Sequence, residues 1–141
     1  MATRKAARET LVAVLKAAMT SCEEVNGYFK SDPGGQSPVL CVHSLSTMST
    51  AMSFRGNRAT YGFDIIVYVR RSGTGITEAT AEDTLDDVAR QLYEAVEANG
   101  CNAIWQSLSY SEPSTALPVD IGGVPYWMEV TSLAMEVMSS G

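Results

Sequence analysis

The only histidine, His43, stands two residues from Cys41 in a segment that reads as a strand. In Cys41-Val42-His43 the alternation of an extended chain puts thiol and imidazole on one face, a spacing compatible with two metal ligands. A structural zinc site needs about four ligands and a catalytic one about three, and no other Cys or His is near in sequence. The expectation is a core or half-buried histidine and no metal. Residues 71–75, Arg-Ser-Gly-Thr-Gly, follow a strand pattern and precede a helix, as a phosphate loop does. They lack the lysine, and the helix they feed opens on acids that repel phosphate. Those acids, Glu78, Glu82, Asp83, Asp86 and Asp87, are the densest charge cluster in the chain. They read as a solvated helix start, or more sharply as a surface that repels nucleic acid or holds a cation weakly, without EF-hand spacing. No GxSxG, Walker, HExxH or Rossmann glycine pattern occurs. The expectation is therefore no catalytic residue, no metal and no cofactor.

Composition bounds the remaining choices. The chain has 141 residues, the length of one domain, and a formal charge of −6. Affinity for duplex DNA comes from Lys and Arg, so nonspecific phosphate binding is not the expected job, although DNA can slide past an acidic wall. Three cysteines with no CxxC imply no disulfide framework and a reducing compartment. Arg4, Lys5 and Arg8 precede the apolar residues 11–19, as in an export signal, but Glu9 and Lys16 interrupt the pattern. Leu11, Val14, Leu15, Ala18 and Met19 instead share one helical stripe, which predicts a core-packed helix over residues 2–22. Nothing approaches the roughly 20 apolar residues of a membrane span.

The elements that would position these groups follow from hydrophobic period. After the loop at residues 31–38, residues 39–45 form a short strand, with Val39, Cys41, His43 and Leu45 on one side. Residues 44–58, rich in Ser, Thr and Met, are either an extended hairpin arm or a flexible loop. Residues 60–71 are the clearest strand: Tyr61, Phe63, Ile65, Val67 and Val69 alternate onto one face. A second helix begins near Thr80, read as its cap with Asp83 as capping-box partner, and stops at Asn99-Gly100. Strands over residues 103–110 and 126–138 complete the set. Gly122-Gly123 can turn a hairpin that pairs Ile121 with Val124, kept to a sheet edge by Pro118 and Pro125. The fold class is α+β in one domain, residues 1–141: a mainly antiparallel four-stranded sheet, order α-β-β-α-β-β, with two helices on one face.

Two helices cover one face of such a sheet, yet the other face carries Ile66, Tyr68, Met128 and Val130. An uncovered apolar face marks a subunit interface, so these four residues are the candidate oligomer contacts. On the arm, Met48, Met52 and Phe54 add adaptable apolar groups, with Arg55 and Arg58 at its tip. These five are the candidate partner-binding residues.

The amphipathic first helix, the strand YGFDIIVYVRR, the acid-led helix TAEDTLDDVARQLYEAVEANG and the closing strand YWMEVTSLAMEVM together resemble the bacteriophage tail terminators, a minor tail protein family of siphophages. The resemblance covers nearly the whole chain and is most specific over residues 61–96. It implies a structural, non-enzymatic virion protein: a homohexameric ring that stops the tail tube and meets the head–tail connector. It places the protein in the tail or neck, and in the host cytoplasm during assembly, with no membrane partner. DNA would pass through without specific binding, and Glu82, Asp83, Asp86 and Asp87 are then candidates for the lumen wall. The Met-rich arm and the Gly122-Gly123 segment depart from the family pattern. Other neck or head–tail joining proteins share this texture. A ferredoxin-like small-molecule-binding regulatory domain and an enzyme working through carboxylates alone are the readings from other classes.

Overall fold

A computed structural model of the protein describes residues 2–51 and 57–138. In chain order the elements are α1 (Arg4–Ala18), β1 (Glu24–Asn26), β2 (Val39–Ala51), β3 (Asn57–Arg70), α2 (Glu78–Ala98), β4 (Ser107–Tyr110), β5 (Thr115–Ile121) and β6 (Val124–Met138). The architecture is α+β, as expected, but the sheet has six strands and is mixed. Its order is β1-β2-β3-β6-β4, with β5 also on β6; β1 and β2 run parallel and all other pairs antiparallel.

Both helices are set by their caps and one apolar stripe each. Thr3 Oγ1 accepts the Ala6 amide at 3.1 Å, and α1 buries Ala7, Leu11 and Leu15 against the sheet. It ends at Ala18, short of the expected Cys22, with Met19 as its buried C-cap. The cap of α2 is Thr77, not Thr80: the Thr77 hydroxyl accepts the Thr80 amide while the Thr80 hydroxyl accepts the Thr77 amide. The helix thus gains nearly one turn, and Asp83 is a solvated position outside the cap. At the other end, Asn99 Nδ2 donates to the Ala95 carbonyl at 2.8 Å.

β3 sits at the centre of the sheet. Its inner face, Tyr61, Phe63, Ile65, Val67 and Val69, is buried under the helices together with Leu133, Met135 and Val137 of β6. The strict alternation seen in sequence is therefore the pleat of a strand with one face on the core. Residues 44–58 form an arm for as far as they are described: β2 pairs with β3 out to Ala51↔Asn57, with a bulge at Leu45 between the pairs Ser44↔Phe63 and Ser46↔Gly62. Gly122 and Gly123 have φ of 59° and 81° and turn β5 into β6 through the pair Ile121↔Val124. Both glycines stand in the left-handed region, and Pro118 lies on the edge strand as expected.

The strand expected over residues 103–110 is shorter than predicted. Asn102 Oδ1 accepts the amides of Ile104 and Trp105, an Asx turn that holds the chain out of the sheet until Ser107. Trp105 is buried, its indole N–H donating to the Asn99 carbonyl at 2.7 Å, so the loop plugs the end of α2.

Candidate functional site

The second face of the sheet is only partly open. Ile66 and Tyr68 are 5% and 2% exposed and form a second core with Val39, Cys41 and Tyr126. The segment between β1 and β2, residues 27–38, is tied to this region. The Gly35 amide donates to Tyr126 Oη at 3.0 Å, Arg70 Nη1 donates to the Gly35 carbonyl at 3.2 Å, and the Arg70 amide donates to Ser37 Oγ at 2.9 Å. The expectation that Ile66 and Tyr68 lie open for a second subunit is thus corrected: both are buried within the chain itself, and the loop is tethered beside them through Tyr126 and Arg70. Met128 and Val130, at the margin of the same cluster, are half-buried. Towards the arm the second face turns polar, with Ser132 Oγ donating to Asp64 Oδ1 at 2.7 Å and Arg58 paired to Glu136 at 3.0 Å.

Cys41 and His43 part company. Cys41 is buried in the second core, where burial pushes its thiol pKa up. His43 is exposed and meets the edge of the Phe29 ring at 5.8 Å. Among the described residues no group of three or more His, Cys, Asp or Glu converges as a metal site would require. In the loop after β3, Arg71 lies over the Trp127 ring at 5.1 Å, a cation–π contact rather than a phosphate cradle. No helix among the described residues is long and apolar enough to cross a membrane.

The candidate partner residues fall on the arm. Met48 is 66% exposed, the most open of the large apolar side chains among the described residues, and Arg58 is exposed across the pair Thr50↔Arg58. Met52, Phe54 and Arg55 lie outside the described residues. The lumen candidates Glu82, Asp83, Asp86 and Asp87 are all exposed along α2. Asp87 faces Arg90 at 3.9 Å, while Glu82 and Asp86 border a groove with Ala116 and Trp127.

One surface has no counterpart in the sequence reading. Tyr93 of α2 stacks on Tyr110 of β4, ring centroids 6.2 Å apart and planes 17° from parallel. Both rings are open to solvent beside a groove that includes Glu112 and Pro113. Glu97, accepting from the Tyr93 hydroxyl and adding its own charge, holds that phenol above its usual range. Tyr110 is raised too, first by burial and then by the negative groups Tyr93, Glu129 and Glu97. Exposed aromatics on an acidic rim make a surface for cations or for another protein. Beneath α2, a cavity of about 60 Å³ touches Tyr110, Glu129 and Thr131. It is far below the roughly 300 Å³ of a metabolite pocket.

No protein-family model and no curated protein matches this chain.

Proposed function

We propose that the chain is a structural protein of the bacteriophage virion that caps the tail tube as a homo-oligomeric ring and joins it to the head connector. The observation that carries this reading is the arm. Four residue pairs of β2 and β3, from Met48↔Thr60 to Ala51↔Asn57, continue past the row Thr47↔Tyr61, where the Tyr61 hydroxyl donates to the Ala2 carbonyl at the start of α1. β6 still backs β3 at Thr60, Ala59 and Arg58, with Ala59 buried, and the hairpin runs one row, Ala51↔Asn57, beyond the last described β6 partner. The arm is suited to lie on a neighbour, and the exposed Met48 gives it an adaptable apolar contact. Arg58, exposed although paired to Glu136, keeps a guanidinium at the surface for registering an acidic partner.

The chemistry of the other surfaces agrees with a passive conduit. A charge of −6 with Glu82, Asp83, Asp86 and Asp87 exposed on one helix repels DNA and lets it pass. A subunit with dissimilar contact surfaces builds a ring by head-to-tail contacts that close on rotation.

The test is tube growth. The tail-tube protein of the same phage is polymerised alone, with this chain, and with a variant in which residues 50–58 are replaced by an Asn-Gly turn that closes Ser49 onto Ala59. The wild-type chain stops elongation, and the folded short-arm variant does not. Tubes that elongate equally with and without the wild-type chain overturn the proposal.

A further inference from the structure

Two edges of the sheet are open, and they differ. β1 pairs with β2 only at residues 39–41; residues 27–29 then border a groove with Arg8 and residues 42–44, and from Leu45 to Ala51 no described strand flanks β2 on the side away from β3. At the opposite edge, β4 pairs with β6 and closes the strand order. β2 is antiparallel to β3, β3 to β6 and β6 to β4, so β4 runs opposite to β2. A second copy set beside the first in the same orientation continues that alternation, its β2 lying antiparallel to β4.

The chemistry of the two edges matches along one row. Ser44, Phe63, Leu133 and Tyr110 form one row across the sheet on the helix-covered face. At the β2 end of that row Arg8 Nη1 donates to Ser44 Oγ at 2.8 Å; three residues further along β2, Arg4 Nη1 donates to Thr47 Oγ1 at 3.3 Å. Two guanidinium groups one helical turn apart thus border the β2 edge. At the β4 end of the same row stands the Tyr93–Tyr110 stack with Glu97 beside it. A guanidinium plane stacks on aromatic rings and forks onto a carboxylate, which is what this edge offers.

We propose that the β2 edge of one copy docks on the β4 edge of the next, with Arg8 received by Tyr93, Tyr110 and Glu97 and with Arg4 beside it. The inference rests on the ring reading above and names the contact that builds it. Because the two edges are different surfaces, the contact is head-to-tail and each copy keeps one edge free until the ring closes. A sheet edge covered by the next copy also removes the template for uncontrolled strand pairing.

The experiment is sedimentation of the full chain at about 100 µM, a concentration that populates contacts of micromolar affinity. The wild type sediments as a closed ring. R8E, E97R and Y93A, all at surface or half-exposed positions, keep the wild-type far-UV spectrum and raise the concentration needed for assembly about tenfold or more. The double variant R8E/E97R, which reverses the charge on both sides of every contact, recovers most of that loss. A wild-type ring that R8E and E97R leave intact, or a double variant no better than either single one, overturns the edge assignment while the ring reading stands. A wild-type monomer overturns both.

Discussion

Replacing Ile66 by Ala tests whether the chain covers its own second face. Ile66 is 5% exposed, on the β3 row that pairs it with Cys41 and Val130, inside the cluster with Val39, Tyr68 and Tyr126. The substitution removes three buried carbons, worth about 0.8 kcal/mol each, or about 2.4 kcal/mol of transfer free energy. A residual cavity raises this to about 3 kcal/mol, within the usual range for a buried Ile→Ala change. Unfolding entropy is about 2.1 cal/mol/K per residue, so a 141-residue domain has about 0.3 kcal/mol/K and its Tm falls by about 10 °C. The assay is thermal unfolding followed by circular dichroism at several protein concentrations. Because the cover is part of the same chain, the I66A shift in Tm does not depend on concentration. If a second copy covered Ile66, the shift would change with concentration as the assembly equilibrium moves. A loss below about 1 kcal/mol, or one that vanishes on dilution, would refute the cover argument.

Three further outcomes follow from the geometry. Thr77→Ala, which removes the side chain of the true cap, costs about 1 kcal/mol in urea unfolding, whereas Asp83→Ala, at a solvated position of α2, changes little. A thiol reagent at pH 8 labels the exposed Cys101 first; Cys22, pushed up to about 11 by burial, holds only about 0.1% thiolate there and reacts slowly until the pH is raised. Trp105→Phe leaves the Asn99 carbonyl without its 2.7 Å donor and costs about 1–3 kcal/mol, read as a lower denaturation midpoint.

Sequence periodicity exposed the parts of the fold where one face meets the core and the other does not. The alternation from Tyr61 to Val69, the stripe of Leu11 and Leu15, and the Gly122-Gly123 turn all appear as read. Short or edge elements lacked such a signal. β1 is three residues, Glu-Val-Asn, too few to show a period, and β5 is exposed over its first four residues, so neither carries an apolar pattern. The strand expected across Trp105 failed because Asn102 offers the backbone a competing local partner.

The surfaces were less legible than the core for the same reason. Ile66 and Tyr68 correctly read as a second apolar face, but the loop beside it is held by Gly35 and Ser37 meeting Tyr126 and Arg70, contacts distant in sequence. Tyr93 is one tyrosine on the polar side of a helix, and only its stack on Tyr110 makes it part of a surface. Arg4 and Arg8, read as the basic start of an amphipathic helix, acquire a direction only once Ser44 and Thr47 are seen beneath them. Met48 is the part of the arm whose exposure its composition did suggest, since Met among Ser and Thr has little of its own to pack on.

Electron cryo-microscopy of tail-tube ends assembled in the presence of this chain shows directly whether it caps them. The expected density is a ring of copies at the tube end, related by rotation, with the β2–β3 arms against an axial neighbour and α2 acids such as Asp86 facing the channel. Tube ends without such density, at a protein concentration that saturates binding, would contradict tube capping by this chain.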